Sequence, residues 1–553
     1  MVLNGSEILV NVLLEQGVDT VFGYPGGAVL NIYDALYKYS DKITHYMTAH
    51  EQGAAHAADG YARATGKTGV VIATSGPGAT NLVTGIATAY MDSVPMVAIT
   101  GNVPNNLIGA DSFQEVYIAG ITLPITKYNF VVRRVEDLAD TLRRAFEIAG
   151  SGRPGPVLVD IPKDVTAAKT EYEAQPAVKT VRCNGIKGDV REVAELINRS
   201  ERPFIYFGGG VRLSEAGEEL RQLIETADIP ASYTLMAGGV LGYGEENNLG
   251  LIGMHGCYSA NAAANRADVM LAIGTRFSDR VALNPDKFGH NARIVHIDID
   301  PSEINKNIIA DYSIVGDVKE VLTELLKYVK PTKRDAWHEQ IKRWKQDDYK
   351  PEDSATELKP HYLVEKACEI AGKDAVYVTD VGQHQMWAAQ FLHHTHPRNF
   401  LTSGGLGTMG YGYGAAIGAK IARGKDTTVV HFTGDGSFHM NMNEICTAVS
   451  YGVHVITVIF NNSVLGMVRQ WQGAFYDRRF SSSEPERVTN YKAVAEGFGG
   501  HGFRCETPDE FEAAMKQAME MDGPVWIECI VDREEKVLPM IPGGKTVHDT
   551  IFK

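Results

Sequence analysis

Cysteine is scarce in this sequence of 553 residues, and its placement excludes two classes of protein. The 6 cysteines are Cys183, Cys257, Cys368, Cys446, Cys505 and Cys529. No two of them form a Cys-x-x-Cys pair, so we expect neither a zinc site nor a disulfide framework. Widely spaced thiols suit a reducing compartment, and we therefore expect a cytoplasmic location.

Long apolar runs and blocks of basic charge are also missing. No apolar stretch approaches the roughly 20 residues of a membrane-spanning helix, and the N-terminus lacks the basic start of a signal peptide. Lysine and arginine number 53 against 68 aspartate and glutamate residues, which gives a net charge of −15. Without a polybasic segment, the sequence predicts no membrane association and no binding to nucleic acid.

The length predicts roughly three domains of about 150 residues each. Residues 1–165, 189–330 and 361–553 each alternate strand-like apolar segments with helix-like segments. Such alternation predicts an α/β fold of three doubly wound parallel sheets. A polar connection is predicted at 166–188, and a charged linker around one exposed helix at 330–360.

Two strands of the third region each end in oxygen-bearing residues. Gly434-Asp435-Gly436-Ser437 follows the apolar strand 428–432, and Asn461-Asn462 follows the apolar strand 455–460. Ligands bind at the carboxyl ends of parallel strands in open α/β sheets. A carboxylate, an amide oxygen and a nearby backbone carbonyl suit Mg²⁺, which shares its coordination shell with phosphates.

This spacing resembles the thiamine diphosphate motif, a Gly-Asp-Gly followed some two dozen residues later by Asn-Asn. The resemblance implies that Asp435, Asn462 and the backbone oxygen of Val464 hold Mg²⁺ against the diphosphate. The alternative is an ordinary strand–turn–helix in which Asp435 caps the helix.

Glu51 follows a predicted strand and precedes the small residues Gly53-Ala54-Ala55. Such surroundings disfavour a charged carboxylate, and a protonated carboxyl can hydrogen-bond a ring nitrogen. In thiamine diphosphate enzymes a glutamate makes this contact to the aminopyrimidine, and the cofactor's own amine then removes the thiazolium proton. The segment His50-Glu51-Gln52-Gly53-Ala54 resembles their motif. The alternative is a surface glutamate at a helix start, where its charge suits the helix dipole.

Almost the whole chain resembles the catalytic large subunits of the acetohydroxyacid synthase (acetolactate synthase) family. The matching stretches are Gly23–Ala28, Ser75–Gly78, Ser151–Val157, Gly253–Gly256, Arg276–Val281 and Gly466–Gln472. The family decarboxylates pyruvate and condenses the remaining unit with a second 2-ketoacid, either pyruvate or 2-ketobutyrate, in branched-chain amino acid biosynthesis. The cofactor acts as the electron sink, and the protein binds, orients and excludes water.

The resemblance implies which residues bind thiamine diphosphate. Gly27 and Gln114 join Glu51 near the thiazolium, and Met409 supports the bent shape of the cofactor. The remaining implied contacts are Pro77, Asn81, Val381, Gly382, Gln383, His384, Gly434, Asp435, Gly436, Ser437, Asn462, Leu465, Gly466 and Met467.

The resemblance also implies how the second ketoacid is selected. Arg280 is expected to bind its carboxylate, because guanidinium recognises carboxylate through two parallel hydrogen bonds. Trp471 is expected to line the acceptor pocket and favour 2-ketobutyrate. Phe113, Lys127 and Met254 are expected along the substrate channel. The alternatives are a surface ion pair for Arg280, a core position for Trp471 and structural roles for the other three.

Family members bind FAD in the central region without net oxidation or reduction. The central region lacks Gly-x-Gly-x-x-Gly, and Ser278 and Asn102 depart from the residues that the family often has there. The alternative is therefore a flavin-free central domain. The residues implied for FAD are Arg153, Gly208, Gly209, Thr234, Leu235, His255, Gly274, Arg276, Asp279, Asp298, Glu303, Asp317 and Val318.

Glu51 and Asp435 fall in different predicted domains. In the family they meet across a subunit interface, which implies a homodimer as the minimum active form, or a homotetramer. No segment is typical of a regulatory domain, so feedback control would need a separate small subunit. Two other functions remain open: an FAD-free catabolic acetolactate synthase or other thiamine diphosphate carboligase, and a non-catalytic flavoprotein scaffold.

Overall fold

Strands and helices alternate along the chain and assemble into three parallel sheets of six strands each. The computed structural model describes all residues, 1–553. The central strands of each sheet are buried on both faces, since helices cover each sheet on two sides. The predicted α/β class with three doubly wound sheets is confirmed. No helix is both long and apolar enough to cross a membrane.

The first unit has the strand order β3-β2-β4-β5-β7-β6, and a two-stranded antiparallel ribbon, β1 with β8, joins its two ends. A capping box between Asn4 and Glu7 fixes the start of its first helix. The elements are β1 (Val2–Asn4), α1 (Gly5–Glu15), β2 (Thr20–Gly23), α2 (Leu30–Lys38), β3 (Thr44–Met47), α3 (Glu51–Thr65), β4 (Gly69–Ala73), α4 (Pro77–Asn81), α5 (Val83–Met91), β5 (Met96–Asn102), α6 (Ile118–Thr122), β6 (Tyr128–Val131), α7 (Leu138–Gly150), β7 (Pro156–Pro162), α8 (Lys163–Ala167) and β8 (Lys169–Glu171).

The second unit has the order β11-β10-β9-β12-β13-β14. Its elements are α9 (Val190–Arg199), β9 (Pro203–Phe207), α10 (Gly209–Leu213), α11 (Gly217–Ala227), β10 (Ala231–Tyr233), β11 (Asn248–Leu251), α12 (Tyr258–Arg266), β12 (Val269–Ile273), β13 (Arg293–Asp298), β14 (Tyr312–Val315), α13 (Val318–Leu325) and α14 (Asp335–Trp344).

The third unit has the order β16-β15-β17-β18-β20-β19. Its elements are α15 (Pro360–Ala371), β15 (Val376–Thr379), α16 (Gln383–Phe391), β16 (Phe400–Leu401), α17 (Gly412–Arg423), β17 (Val429–Gly434), α18 (Asp435–Asn441), α19 (Ile445–Ser450), β18 (Ile456–Asn461), α20 (Gly466–Phe475), α21 (Tyr491–Gly497), β19 (His501–Cys505), α22 (Pro508–Glu520) and β20 (Val525–Ile530).

The first and third units pack through α3 and α17, two helices made largely of small residues. A methyl group on Gly418 would lie 1.9 Å from the backbone oxygen of Ala57, and one on Gly60 would lie 2.1 Å from that of Ala415. Glycine is therefore required on both helices for this close approach. The glycine-rich segment Ser403–Gly418, which runs into α17, packs against a neighbouring helix for this reason.

The helix predicted within the 330–360 segment is α14, and most of its residues are exposed. One face is buried, however, because Trp337 and Ile341 are each only 2% exposed and pack in the second unit's core. The charged residues of this helix occupy its other face and dominate its composition. Several short strands, including β6, β10 and β16, were missed, because strands of two to four residues carry little apolar periodicity.

Candidate active site

Each sheet has a point where the strand order reverses, and glycine-rich loops follow both strands there. Open α/β sheets bind ligands at such reversal points. They lie between β2 and β4, between β9 and β12, and between β15 and β17. Several residues predicted for the two cofactors follow these strands, among them Gly27 after β2, Gly208 after β9 and Asp435 after β17.

Asp435 begins α18 at the carboxyl end of β17 and is only 4% exposed. Burial raises the pKa of its carboxyl to about 6, against the opposing effect of nearby backbone N–H groups. No basic side chain forms a salt bridge with it; Arg487 acts on it only at longer range. A buried carboxylate without a cation is costly, so Asp435 fits a site for a bound metal ion.

Asn462 lies directly after β18, the neighbour of β17 in the sheet. Its side-chain oxygen accepts a hydrogen bond from the backbone N–H of Val464 at 3.3 Å, and its amide donates to Gln383 at 3.1 Å. The backbone of Ser463 is left-handed, with φ of 57°, which forms the turn. The chemistry of this donor set, one carboxylate with neutral oxygens from an amide and a carbonyl, matches Mg²⁺.

Glycines keep the diphosphate side of this site free of side-chain bulk. A methyl group on Gly436 would lie 2.7 Å from Leu465, and one on Gly466 would lie 1.9 Å from the side-chain oxygen of Gln383. His384 is buried and its Nε2 has no hydrogen-bond partner; burial lowers its pKa to about 4. This backbone-lined concavity fits a cofactor diphosphate.

Glu51 is the first residue of α3 and is 8% exposed. Its carboxylate accepts a hydrogen bond from the Asn81 amide at 2.9 Å. The third unit holds the same turn, because Glu444 accepts hydrogen bonds from the backbone N–H groups of Ala49 and His50, each at 3.0 Å. Glu51 is therefore buried, and the alternative of a surface glutamate at this position is wrong.

Other predicted residues of the first unit surround the carboxyl ends of β2 and β4. A methyl group on Gly27 would have no neighbouring atom within 4 Å, so space is open beside it. Gln114 has left-handed backbone, with φ of 59°, and packs on Gly76, where a methyl group would lie 2.8 Å from the Gln114 Cα. Pro77 begins α4 and Asn81 ends it.

A cavity of about 1590 Å³ joins the reversal points of the second and third sheets. Val381, Gly382, Met409 and Met467 line its end in the third unit. Three residues predicted for substrate binding line the same cavity: Met254 and Arg280 from the second unit, and Trp471 from the third. The Arg280 guanidinium lies 5.8 Å from the centre of the Trp471 ring.

The second unit lines the rest of this cavity. Gly208, at the end of β9, and Gly274, at the end of β12, pack backbone against backbone: a methyl group on Gly208 would lie 2.5 Å from the Gly274 oxygen. All 13 residues predicted for FAD line this cavity: Arg153, Gly208, Gly209, Thr234, Leu235, His255, Gly274, Arg276, Asp279, Asp298, Glu303, Asp317 and Val318.

Unpaired polar atoms mark this lining as a binding surface. One carboxylate oxygen each of Glu303 and Asp317 is buried without a partner, and burial raises the pKa of Asp298 to about 6. Arg153 forms salt bridges to Asp300 and Glu303 at 3.3 and 2.6 Å. Acidic groups for ribose hydroxyls and a glycine cradle for a pyrophosphate fit a dinucleotide.

Several residues of the first unit do not line this cavity. Glu51, Gly27 and Gln114 lie outside it. Phe113 is 87% exposed on a loop. Lys127 donates hydrogen bonds from Nζ to the carbonyl oxygens of Ile148 and Ser151, and burial lowers its pKa to about 8. Their roles at the thiazolium and in the channel stay predictions.

Part of the lining of the large cavity was not predicted from the sequence. Gln385, Met386, Tyr476 and Arg479 face the cavity. None of them belongs to a glycine-rich turn or directly follows a strand, so no local pattern marked them. The segment Gly404–Gly407 also lines the cavity, and its glycine content does predict close packing against a neighbour or a cofactor.

Comparisons with known proteins agree with this arrangement. Residues 3–121 match "Thiamine pyrophosphate enzyme, N-terminal TPP binding domain", residues 190–325 match "Thiamine pyrophosphate enzyme, central domain", and residues 380–529 match "Thiamine pyrophosphate enzyme, C-terminal TPP binding domain". The fold and the site thus define a thiamine pyrophosphate-dependent enzyme.

Curated relatives narrow the class. The chain is 47% identical to "Acetolactate synthase" of Mycobacterium bovis, over 99% of this chain and 91% of the relative. It is 45% identical to "Probable acetolactate synthase large subunit" of Methanocaldococcus jannaschii, over 98% and 94%. It is 42% identical to "Acetolactate synthase large subunit" of Haemophilus influenzae, over 100% and 98%. The chain belongs to the acetolactate synthase large-subunit family.

Proposed function

We propose that this enzyme decarboxylates pyruvate and condenses the two-carbon unit with a second 2-ketoacid, in branched-chain amino acid biosynthesis. Pyruvate as acceptor gives 2-acetolactate, and 2-ketobutyrate gives 2-aceto-2-hydroxybutyrate. Thiamine diphosphate, when bound, supplies the electron sink for the carbanion that forms on loss of CO₂. The observation that carries the proposal is the buried, uncompensated carboxylate of Asp435 beside Asn462, in a chain of this family.

The metal and cofactor contacts follow from the site. Asp435, Asn462 and the Val464 carbonyl would hold Mg²⁺ against the diphosphate, which suits a hard cation that keeps octahedral geometry. Glu51, buried and oriented by Asn81, would hold a proton at the aminopyrimidine nitrogen. Glu51 is the first residue of α3, so the start of this helix fixes its backbone and limits where its carboxyl can lie.

The large cavity supports a second cofactor, FAD. Its volume of about 1590 Å³ exceeds the roughly 300–1,000 Å³ of an ordinary small-molecule pocket, so a dinucleotide and a substrate fit together. Asp298 and Asp317 would bind ribose or adenine groups, and the Gly208 turn would face the pyrophosphate. The flavin undergoes no net redox change in this proposal.

In this proposal Arg280 and Trp471 select the second ketoacid. Arg280 has no strong salt bridge, since Asp279 lies 3.9 Å away and is exposed, so its guanidinium is free to bind a carboxylate. Its position over the Trp471 ring would set the acceptor carboxylate beside an apolar wall. The extra methyl of 2-ketobutyrate would gain about 1–3 kcal/mol from such a wall.

The assembly is also a proposal. Glu51, Gly27 and Gln114 of the first unit lie outside the cavity that Met254, Arg280 and Trp471 line, which supports a homodimer or homotetramer in which one chain's first unit completes its partner's site. Relatives are named large subunits, which supports a separate regulatory small subunit. A cytoplasmic location fits the six free thiols.

Product analysis tests this function. Purified protein with thiamine diphosphate, Mg²⁺ and FAD should release CO₂ and 2-acetolactate from pyruvate, and added 2-ketobutyrate should divert product to 2-aceto-2-hydroxybutyrate. Release of acetaldehyde alone, or no reaction, would contradict the proposal. Flavin absorbance on the purified protein separates it from an FAD-free carboligase.

A further inference from the structure

Arg212, on α10, is a buried arginine that forms no salt bridge with any carboxylate of the protein. It is 5% exposed, and its Nε is buried without a hydrogen-bond partner. Burial lowers its pKa to about 10, and the nearby charges of Arg63 and Arg398 act in the same direction. An unpaired buried guanidinium is costly, so this position is suited to an anion from outside the chain.

Arg212 borders a second cavity, of about 420 Å³, which we call the basic cavity. No aspartate or glutamate lines it, although acidic residues outnumber basic ones in the chain by 68 to 53. Three threonines supply further hydrogen-bond donors: Thr20, Thr68 and Thr180. Five cationic residues line it: Arg63, Lys67, Arg182, Arg212 and Arg398.

The nearby carboxylates are engaged elsewhere or lie at the surface. The negative charge of Asp92 acts to raise the pKa of Arg212. Asp92 is already engaged, however, because it pairs with Arg63 at 2.9 Å and accepts hydrogen bonds from two backbone N–H groups of the third unit. Glu215 reaches only Arg398, at 3.5 Å, and its side chain is 66% exposed.

Arg63 also pairs with Asp59 at 2.5 Å, and Arg182 lies 3.8 Å from Asp317. Arg212 and Lys67 have no carboxylate partner, so these two residues give the basic cavity its excess of positive charge.

We propose that the basic cavity binds a phosphate group, either as inorganic phosphate or as a monoester of a small metabolite. Several guanidinium groups with adjacent hydroxyls suit a tetrahedral dianion better than a single carboxylate, because each arginine can donate two parallel hydrogen bonds. The volume exceeds that of phosphate alone and leaves room for an ester group.

The position of the basic cavity gives this binding a structural consequence. Lys67 belongs to the first unit, Arg212 to the second and Arg398 to the third, so one anion would hold the three units together. Arg182 and Arg212 also border the large cavity. Occupation of the basic cavity would therefore stabilise the wall that the second unit contributes to the active site.

Thermal unfolding of the holoenzyme tests the proposal. Protein saturated with thiamine diphosphate, Mg²⁺ and FAD has its cofactor phosphate sites filled, so added phosphate reports on the basic cavity. Inorganic phosphate should raise the unfolding midpoint saturably, and chloride at equal ionic strength should not. Adenosine monophosphate forms a second arm: tighter binding than inorganic phosphate identifies a monoester as the ligand, and weaker binding identifies the free anion.

Variants locate the effect. Arg212→Met and Arg398→Met should each weaken phosphate binding at least about tenfold, whereas Arg199→Met, at an exposed arginine on α9, should leave it unchanged. In phosphate-free buffer Arg212→Met should be at least as stable as the parent, because it removes an unpaired buried charge. An arginine needed only for packing would give the opposite result.

Three results would overturn the proposal. The first is an equal midpoint shift in phosphate and chloride. The second is an unchanged phosphate response in Arg398→Met, which lines only the basic cavity and also decides the matter if Arg212→Met does not fold. The third is loss of flavin absorbance in Arg212→Met with the phosphate response intact, since Arg212 would then serve the large cavity.

Discussion

Replacing Glu51 by glutamine separates proton transfer from the packing of the site. The two side chains have the same shape, and Glu51 is buried with one hydrogen bond, from Asn81 at 2.9 Å. A glutamine amide oxygen can accept that bond. We therefore expect Glu51→Gln to fold with a loss of stability below about 1.5 kcal/mol, as for other volume-conserving changes.

The catalytic effect should be much larger. An amide cannot exchange a proton with the aminopyrimidine ring, so the contribution of general acid–base catalysis is lost. That contribution is typically about 10²–10⁴-fold, which equals about 3–5 kcal/mol of activation free energy. Acetolactate formation should fall by this factor at saturating thiamine diphosphate and Mg²⁺, while both still bind.

The assay combines turnover with exchange of the cofactor's thiazolium proton for deuterium, followed by NMR. Both rates should fall together in Glu51→Gln, because the same proton relay serves both. Glu195→Gln, at an exposed glutamate on α9, is the matched control and should leave both rates unchanged. Turnover of Glu51→Gln close to that of the parent would refute the assigned role.

Three further changes test other parts of the account. Trp471→Leu should lower the preference for 2-ketobutyrate over pyruvate by up to about tenfold in mixed-substrate competition, because the apolar wall contacts only one extra methyl. Gly466→Ala should weaken thiamine diphosphate binding measured by titration, because its methyl would lie 1.9 Å from the Gln383 side-chain oxygen, and Gln383 accepts the hydrogen bond that orients Asn462. Glu15→Gln should reduce the free energy of unfolding at pH 7 by about 2–4 kcal/mol, because Arg143 donates two hydrogen bonds to Glu15, each at 2.9 Å.

The Glu15 effect should depend on pH. Burial acts to raise the pKa of Glu15, but hydrogen bonds from Arg143, Tyr172 and the Gln175 backbone outweigh it and leave the pKa below its usual value. A carboxyl with a lowered pKa stabilises the folded state above its unfolded pKa of about 4.3. The difference between parent and Glu15→Gln should therefore shrink as the pH falls below that value.

Each of these changes has a result that would contradict it, and the glycine and Glu15 changes each have a control variant. An unchanged product ratio in Trp471→Leu would place Trp471 outside the acceptor pocket. Gly473→Ala, on the same helix and with no contact closer than 3.7 Å, should bind the cofactor normally; equal loss in both glycine variants would reject the steric argument. Glu147→Gln, exposed on α7, should unfold like the parent, and a pH-independent difference for Glu15→Gln would reject its ionic contribution.

The central strands and the turns that follow them could be predicted from the sequence, because each combines an apolar run with a glycine-rich end. Examples are β17, which is followed by Asp435, and β9, which is followed by Gly208. Edge strands such as β16, Phe400–Leu401, carry too few residues for any period to be seen.

The arrangement of units around the large cavity could not be predicted in the same way. Tyr476 and Arg479 reach it from a loop after α20, and only the packing of the third unit against the second brings them there. Similarly, the lysine and arginine residues between 330 and 345 predicted an exposed helix, whereas burial is decided by Trp337 and Ile341 on its other face. The composition of a helix averages over all of its residues, whereas its packing depends on the residues of one face.

A crystal structure grown with thiamine diphosphate and Mg²⁺ would show whether the metal binds between β17 and β18. We expect Mg²⁺ bound to Asp435, Asn462 and the Val464 carbonyl at about 2.0–2.1 Å, with Glu51 of one chain against the aminopyrimidine held by its partner. A cofactor bound elsewhere, or a metal that does not contact Asp435, would contradict this expectation.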